Sequence, residues 1–325
     1  MPRILYLLFS FGAGVQGGHK MILRHAETAR DLGFDAYVYL GRGSTMPPWF
    51  ENRAPVEAAT RVLDDDILVA PDDGPETLSI AAQRGLRTIV LSQNPYYFGA
   101  TGLTRMHEFP AERLPAFMAV APRLAATLRR LYPQVSVDVV PAFCDERIFR
   151  PGEKQAAIAY SPKKRTIEAA ATRGFFQQLH PQHAGLAWRE IREMTERQTA
   201  DVLAGSSLYL SLNRMESLGI TTLEAMASGC VCAGFTGIGG DEYATPDNGF
   251  WVRDDDCEAA ADALAEAADV VAAGGPRLKR MQEAGFETAR AWSYVRFRQA
   301  LEAALTKLTP ELRLKDGPLD AGAAA

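Results

Sequence analysis

The chain has 325 residues, more than one hydrophobic core usually supports, so two domains of ordinary size are expected. Hydrophobic residues make up 47% of it, a proportion typical of globular domains. The formal charge of −5, with acidic and basic residues interspersed, excludes a dedicated nucleic-acid binder, because such a protein concentrates basic residues on one surface.

The amino terminus reads MPRILYLLFSFGAG, and glycines interrupt its apolar stretch early. A secretory signal or a membrane span needs a longer unbroken apolar run. We therefore expect the protein to stay in the cytoplasm.

The first half of the chain alternates predicted strands with predicted helices. The strands are RILYLLF, DAYVYL, DILVA, RTIVLS, FMAVA and VDVVP. Helical patterns run from His19 to Leu32 and from Pro122 to Leu131. This rhythm predicts a parallel sheet with helices on both faces.

A glycine motif follows the first strand. Gly12, Gly14 and Gly17 satisfy G-x-G-x-x-G, which is typical of dinucleotide oxidoreductases. That fingerprint also needs an acidic residue at the end of the second strand, where this chain has Arg42 and places Asp35 only at the strand's beginning. Because Arg42 could bind a 2′-phosphate, an NAD(P) oxidoreductase remains an alternative.

The strand and helix rhythm restarts after Arg150-Pro151-Gly152. The second set of strands is AAIAYS, LAWREI, SLYLSL, CVCAGF and GFWV. We predict an α/β protein with a Rossmann-like domain over residues 1–150 and a second over 151–290. The segment ARAWSYVRFRQALEAALTKL predicts one amphipathic helix, assigned to residues 291–310. Residues 311–325 are predicted to form a flexible tail with little to bury.

Two glutamates separated by seven residues mark the junction between SLYLSL and the predicted helix TTLEAMAS. Gly219 in the short loop lets the backbone approach a ligand closely, and the first amides of the helix suit a diphosphate. A carboxylate only accepts hydrogen bonds, so Glu224 can hold neighbouring ribose hydroxyls and Glu216 can hold hydroxyls of a sugar. The junction therefore predicts a nucleotide-sugar site.

The same junction has a simpler interpretation. Thr221 followed three residues later by Glu224 is a capping box, which stabilises a helix start without any ligand. The spacing alone favours this capping box over a ligand-binding role, so the capping box remains an alternative.

The sequence predicts no metal site. Cys144, Cys230, Cys232 and Cys257 form no zinc-like pattern with the five histidines. The acidic triplet Asp254 to Asp256 precedes a helical pattern, where aspartates cap amides rather than bind a divalent ion.

The segment ESLGITTLEAMASGCVCAGFTGIGGDEYATPDNGFWV resembles the nucleotide-sugar signature of the retaining GT-B glycosyltransferases of family 4. Members of that family carry two glutamates separated by seven residues, then a Gly-Gly-x-x-Glu loop and an Asn-Gly turn. The corresponding residues are Glu216, Glu224, Gly239 with Gly240, Glu242, and Asn248 with Gly249. Weaker similarity extends to VPAFCDERIFRP and IAYSPKKR. The resemblance implies the GT-B architecture, with two Rossmann-like domains facing a cleft, a terminal helix that crosses back to the first domain, and no metal requirement.

Candidate site residues follow partly from this resemblance and partly from the position and chemistry of residues after the predicted strands. The donor-binding candidates are Gly17, Gly18, Lys163, Lys164, Ser217, Leu218, Gly219, Thr221, Thr222 and Glu224. The catalytic candidates are Glu216 and Lys164, and the acceptor-side candidates are His19, Asn94, Tyr96 and Tyr97. Many family members have a histidine near the acceptor segment, where this chain has Gln93 and Asn94 instead.

From this resemblance we expect transfer of a sugar from a UDP-, GDP- or other nucleotide donor to a hydroxyl group, with retention at the anomeric carbon. No cofactor is expected, and the acceptor is a sugar, a lipid-linked glycan or another glycoconjugate. The arginines of PRLAATLRRLYP could touch anionic lipid, although an ordinary domain face explains them equally simply, so peripheral contact with the inner membrane face stays open. The other-class alternative is a noncatalytic relative that binds sugar nucleotides without transferring them.

Overall fold

The computed structural model describes residues 2–9, 16–57, 61–163 and 165–312. The chain divides into two compact units. The first comprises Met1–Pro141 with Phe297–Ala325, and the second comprises Ala142–Arg296. Each unit is built around its own parallel sheet.

The first unit contains a six-stranded sheet with the strand order β2-β1-β3-β4-β5-β6. The strands are β1 (Ile4–Leu8), β2 (Ala36–Leu40), β3 (Ile67–Pro71), β4 (Arg87–Ser92), β5 (Ala116–Ala119) and β6 (Val137–Val139). The helices of this unit are α1 (Gly17–Asp31), α2 (Pro75–Arg84), α3 (Pro95–Ala100) and α4 (Pro122–Leu131). Proline occupies the first turn of α2, α3 and α4, where its missing N–H costs nothing.

The second unit contains a five-stranded sheet with the order β11-β10-β9-β7-β8. Its strands are β7 (Gln155–Tyr160), β8 (Ala187–Glu190), β9 (Ser206–Leu212), β10 (Val231–Phe235) and β11 (Gly249–Val252). Its helices are α5 (Thr166–Leu179), α6 (Glu196–Gly205), α7 (Ile220–Ala227), α8 (Gly237–Gly240), α9 (Cys257–Ala273) and α10 (Gly275–Ala291). Helix α11 (Tyr294–Leu308) begins in this unit and continues into the first.

Four inner strands are buried at every residue, namely β1 and β3 in the first sheet and β9 and β10 in the second. All seven residues of β9 and all five of β10 are buried, as expected for parallel strands covered by helices on both faces. Leu208, Leu210 and Val231 pack with Leu264 of α9 in the core of the second unit. This packing fixes where β9 ends and therefore where the following loop emerges.

The predicted α/β class is confirmed, and each of the eleven predicted strand segments forms a strand. The prediction of a single helix over ARAWSYVRFRQALEAALTKL is wrong, because α10 ends at Ala291 and α11 begins at Tyr294. The carboxylate of Glu146 accepts hydrogen bonds from the backbone amides of Tyr294 and Val295, at 2.7 and 3.3 Å. A residue far away in sequence therefore caps α11 and starts a separate helix there.

Each sheet has a point where the strand order reverses. In the first sheet it lies between β1 and β3, and in the second between β7 and β9. Open α/β sheets bind ligands beyond the carboxyl ends of the strands at such points. Within the described residues, no helix combines the length and apolar character that crossing a bilayer requires.

Candidate functional site

The loop between β9 and α7 lies at the reversal point of the second sheet. It ends at Gly219, which precedes the first residue of α7 and has a φ of 76°. A positive φ of this size favours glycine, because a Cβ would clash with the backbone. Leu218 is 2% exposed and anchors the loop in the interior.

The side chain of Asn213 packs directly against Gly219. A Cβ placed on Gly219 would lie 2.2 Å from Nδ2 of Asn213, which itself donates a hydrogen bond of 3.0 Å to the hydroxyl of Thr222. Since Asn213 is held in this way, it cannot move aside cheaply. Gly219 is therefore required both for its conformation and for the space that it leaves.

A buried polar network supports the loop from below. The hydroxyls of Ser211 and Thr222 lie 3.1 Å apart, and Thr222 is fully buried. The phenol of Tyr243 donates a hydrogen bond of 3.2 Å to the carbonyl oxygen of Gly219, and burial raises the pKa of this phenol. Thr222 was predicted as a donor-binding residue, but its hydroxyl is engaged within the protein, so a donor contact would have to come from its backbone.

Two glycines let the chain of α8 approach the same loop. A Cβ on Gly239 would lie 2.4 Å from the backbone nitrogen of Leu218 and 2.7 Å from the carbonyl oxygen of Glu216. Gly237 has a φ of 59°, and a Cβ on it would lie 2.9 Å from the carbonyl oxygen and 3.0 Å from the backbone nitrogen of Arg214. Gly237 and Gly239 thus let the backbone of α8 pack directly against the loop that carries Glu216.

The two glutamates occupy different positions around α7. Glu216 lies in the loop and is half-buried, whereas Glu224 lies one turn into the helix and is buried. The predicted capping box is wrong, because Gly219 precedes the helix and no side chain caps its first amides. Thr221 is already the second residue of α7, so it cannot act as the cap. The spacing of Glu216 and Glu224 therefore needs another explanation.

The basic segment after β7 divides into residues with different environments. Lys163 is exposed, and Lys164 lies outside the described residues. Arg165 is 4% exposed, and its guanidinium contacts Glu168 at 2.7 Å and Asp255 at 2.6 Å. Its Nε also donates to the carbonyl oxygen of Leu212, at 3.3 Å. Arg165 thus fastens the end of β9 to the start of α5, beside Lys163.

Asp256 caps α9, as the sequence predicts, since its carboxylate accepts from the amide of Ala259 at 3.1 Å. Asp254 accepts from the amide of Gly237 at 3.0 Å. These aspartates have structural roles around the glutamate loop.

The remaining candidates belong to the first unit. Gly17 and Gly18 begin α1, and a Cβ on Gly18 would lie 3.5 Å from the side-chain amide of Gln93. His19 is the third residue of α1 and is half-buried. The start of α1 therefore lies beside the loop after β4.

Asn94 caps α3 rather than pointing outward. It is 8% exposed, and its side-chain oxygen accepts from the amides of Tyr96 and Tyr97, at 3.0 and 3.4 Å. Tyr97 is 43% exposed, whereas Tyr96 is half-buried. The tyrosines thus remain the better acceptor-side candidates, with Asn94 setting the start of their helix.

Asp72, a residue that the sequence did not single out, organises this loop. One of its carboxylate oxygens accepts from the hydroxyl of Ser92 at 3.0 Å and from the amides of Gln93 and Asn94 at 2.8 and 3.0 Å. Asp72 is 2% exposed, and burial raises the pKa of its carboxyl to about 7. The carboxyl group after β3 therefore holds the loop after β4 in place.

Comparison with known proteins agrees with the arrangement around α7. Residues 173–269 match the family described as Glycosyl transferases group 1, a segment that contains Glu216, Glu224 and Gly239. The fold is similar to that of the Anabaena protein HepE, solved with UDP and glucose, at a TM-score of 0.65 and 15% identity over 94% of this chain and 100% of that chain. The chain therefore has the fold of the GT-B glycosyltransferases.

Two further similar proteins differ in how much of their length this chain spans. An alpha-1,6-glucosyltransferase of Actinobacillus pleuropneumoniae is 27% identical over 265 residues, which are 78% of this chain and 80% of that protein. The pneumococcal O-GlcNAc transferase GtfA, solved with UDP and GlcNAc, has a TM-score of 0.57 and 12% identity. That match covers 76% of this chain and 57% of GtfA, so the chain spans little more than half of that transferase.

The comparisons lend no support to the oxidoreductase alternative. Of the glycines that suggested it, Gly12 and Gly14 lie outside the described residues, and Gly17 is the first residue of α1. Arg42 is exposed. A lone G-x-G-x-x-G match is weak evidence when the acidic residue that completes the fingerprint is missing.

Proposed function

We propose that this protein is a glycosyltransferase, which moves a hexose from UDP-hexose to a hydroxyl acceptor with retention of anomeric configuration. The loop that ends at Gly219 carries the proposal. It leads into the amides at the start of α7, with Glu216 before them and Glu224 one turn after them. Three features suited to three parts of a nucleotide sugar thus follow one another along a short stretch of backbone.

The start of α7 suits the diphosphate. The first amides of a helix have no partner within the helix and carry the positive end of its dipole. The positive φ of Gly219 turns the chain into the helix without a side chain in the way. Lys163, and Lys164 next to it in sequence, follow the neighbouring strand and supply positive charge as the diphosphate departs. Because amides and lysines meet this charge, the proposed transfer needs no divalent metal.

The glutamates suit the two sugars of the donor. A carboxylate accepts two hydrogen bonds side by side, which matches adjacent hydroxyl groups. Glu224 is assigned to the ribose because it lies within α7, beyond the proposed diphosphate position. Glu216 is assigned to the transferred hexose because it lies before that position.

The proposed reaction balances without a protein base. The acceptor oxygen forms a bond to the anomeric carbon as the bond from that carbon to the diphosphate oxygen breaks. The acceptor's proton passes to an oxygen of the departing UDP on the same face of the sugar. Attack and departure on one face retain the anomeric configuration.

The relatives guide the choice of donor and acceptor. HepE and GtfA were solved with UDP, and the Actinobacillus relative is named as a glucosyltransferase, which favours UDP-glucose over a GDP-sugar. GtfA also holds GlcNAc. The proposed acceptor is a hydroxyl group of a sugar, a lipid-linked glycan or another glycoconjugate under construction. His19, Tyr96 and Tyr97 are its proposed contacts in the first unit.

The test is release of UDP or GDP from a panel of UDP-glucose, UDP-galactose, UDP-N-acetylglucosamine and GDP-mannose, with EDTA present. The proposal predicts UDP release from a UDP-hexose, slow with water and faster with an oligosaccharide acceptor, and strongly reduced in Glu216→Gln. The anomeric proton coupling of the product reports on retention. Nucleotide binding without release from any donor would instead identify a noncatalytic relative.

A further inference from the structure

A second concave site lies in the unit that carries the glutamate loop. Its cavity has a volume of about 490 Å³ and is lined by the β10–β11 connection, β11, α9 and α10. Neither Glu216 nor Gly219 lines it. Cavities of a few hundred Å³ are large enough for one or two sugar rings. The proposed transfer reaction does not use this site.

Trp251 forms a fixed aromatic wall of the cavity. Its indole Nε1 donates to the carbonyl oxygen of Thr245 and to Oδ1 of Asn248, both at 3.0 Å. Asn248 is itself held, since its amide nitrogen donates to the carbonyl oxygen of Tyr243 at 2.7 Å and to the hydroxyl of Thr288 at 3.0 Å. An aromatic ring held in this way loses little conformational entropy when a ligand packs against it.

Gly249 allows the indole to lie where it does. A Cβ on this residue would be 2.5 Å from a ring carbon of Trp251 and 3.0 Å from the carbonyl oxygen of Cys232. Any other residue would push the ring aside. Asn248 and Gly249, which the sequence marks only as a turn, thus orient Trp251.

The charges around the cavity select against an anionic ligand. Asp241 and Glu266 contribute two carboxylates, and Arg277 contributes one guanidinium, which pairs with Glu266 at 2.7 Å. The formal balance of these three groups is negative, so a phosphate or a nucleotide would be repelled. The guanidinium of Arg277 also lies over the ring of Phe250, 5.5 Å from its centre, so a cation already covers that ring.

The remaining chemistry suits a neutral sugar. A pyranose ring has an apolar face of C–H groups, which can pack on Trp251, and a rim of hydroxyl groups. Carboxylates accept hydrogen bonds from paired hydroxyls, and the guanidinium donates to ring and hydroxyl oxygens. The cavity thus combines hydrogen-bond acceptors, on Asp241 and Glu266, with hydrogen-bond donors, on Arg277, around the ring of Trp251.

We propose that this cavity is a second carbohydrate-binding site, which takes a neutral hexose unit of an oligosaccharide. That the oligosaccharide is the acceptor or the product of the transfer rests on the proposed function, whereas binding at Trp251 does not. Tyr243 connects the two sites physically, because it accepts from Asn248 and donates to Gly219.

Titration of the full chain with maltohexaose, followed by saturation-transfer NMR and calorimetry, tests this site. Wild-type protein is expected to bind, with the same affinity in the presence of saturating UDP. Trp251→Ala should weaken binding about tenfold or more, since one aromatic contact and its buried area contribute on that scale. Asp241→Asn should weaken it several-fold, and the matched control Asp247→Asn, an exposed aspartate outside the cavity, should leave it unchanged.

Four outcomes would overturn the proposal. They are no binding of maltohexaose to wild-type protein, full binding to Trp251→Ala, displacement of the sugar by UDP, and binding of glucosamine or choline in its place. If Trp251→Ala does not fold, maltohexaose binding is measured with Asp241→Asn and Glu266→Gln instead. Weaker binding by these variants supports the proposal, and unchanged binding overturns it. Trp251-dependent binding of maltohexaose by a protein that ignores UDP would contradict the proposed transferase function and leave this site standing.

Discussion

The phenol of Tyr243 donates a hydrogen bond of 3.2 Å to the carbonyl oxygen of Gly219, although the two residues are far apart in sequence. The same carbonyl accepts from the amide of Thr222 at 3.1 Å within α7. Tyr243 therefore holds the carbonyl of the residue at which the glutamate loop turns into the helix. We regard this contact as a positioning interaction, since Tyr243 would act on the proposed nucleotide-sugar donor only through Gly219.

Removal of the hydroxyl in Tyr243→Phe should weaken UDP binding several-fold and lower the free energy of unfolding by about 1 kcal/mol, the usual scale of one buried hydrogen bond. Calorimetric titration with UDP and denaturant unfolding measure the two effects. Tyr132→Phe, a change of the same kind in the first unit, serves as the control and should not alter UDP affinity. Wild-type affinity in Tyr243→Phe would exclude the positioning role.

Gly219→Ala should have a larger effect. The added Cβ meets a positive φ of 76° and the side chain of Asn213 at 2.2 Å, so the loop must shift. We expect UDP affinity to fall more than tenfold and the free energy of unfolding to fall by about 1 to 3 kcal/mol. Gly185→Ala is the matched control, because a Cβ there meets nothing within 4 Å. Equal behaviour of the two variants in calorimetry and thermal unfolding would contradict the geometry described for Gly219.

The structure also shows what the sequence could and could not predict. Strand positions followed from apolar runs, because parallel strands buried on both faces carry a strong local signal. The cap of α11 did not, because Glu146 reaches Tyr294 from far along the chain. In the same way, local spacing suggested that Thr221 and Glu224 cap α7, whereas the helix begins one residue earlier, after Gly219.

The candidate site was predictable only where one segment contains it. Glu216, Gly219 and Glu224 follow one another, so a single motif finds them. Asp72 and Tyr243 form hydrogen bonds to loops that are distant from them in sequence. The sequence around either residue contains no motif that predicts its hydrogen-bond partner. Residues that position a distant loop can therefore be identified only from the folded structure, in which the strand order places the loops next to one another.

The buried carboxyl of Asp72 predicts a pH dependence of stability. Burial raises the pKa of Asp72 to about 7 from an ordinary value of 3.8, so the folded protein holds a proton that the unfolded chain loses between these values. The contribution of protonated Asp72 to the free energy of unfolding is therefore fully present below about pH 4 and is lost as the pH rises towards 7. Asp72→Asn keeps an oxygen acceptor and removes the charge.

Chemical unfolding of wild type and Asp72→Asn between pH 4 and 8 checks this. The free energy of unfolding of the wild type should fall relative to the variant by a few kcal/mol at most, since each pH unit corresponds to about 1.4 kcal/mol. If the difference in free energy of unfolding between wild type and Asp72→Asn stays constant with pH, Asp72 has the same pKa in the folded and unfolded protein, which contradicts the prediction.

His25 should produce the opposite dependence. This residue is fully buried between the rings of Tyr6 and Phe297, with centroid distances of 5.9 and 4.9 Å, and burial lowers its pKa to about 3. The unfolded chain binds a proton near pH 6.5, which the folded protein excludes. The contribution of neutral His25 is thus present above pH 6.5 and is lost as the pH falls towards 3.

His25→Phe should remove this acid sensitivity. The free energy of unfolding of the variant relative to wild type should rise as the pH is lowered from 7 to 4, by up to several kcal/mol. The slope, rather than the absolute stability, is the measured quantity, because the larger ring changes packing at every pH. Parallel curves for the two proteins would mean that His25 is accessible to protons in the fold.

The central claim is that the glutamate loop and α7 bind a nucleotide sugar, and calorimetric titration of UDP into wild type and glutamate variants tests it most directly. Glu224→Gln should weaken UDP binding by about 1.5 to 3 kcal/mol, the scale of hydrogen bonds to a charged group. Glu216→Gln should leave UDP affinity nearly unchanged and lower turnover of the sugar donor. Glu258→Gln, an exposed glutamate in the first turn of α9, is the control and should match wild type. Failure of wild-type protein to bind UDP or any other nucleoside diphosphate, or binding that Glu224→Gln leaves at full strength, would contradict the account.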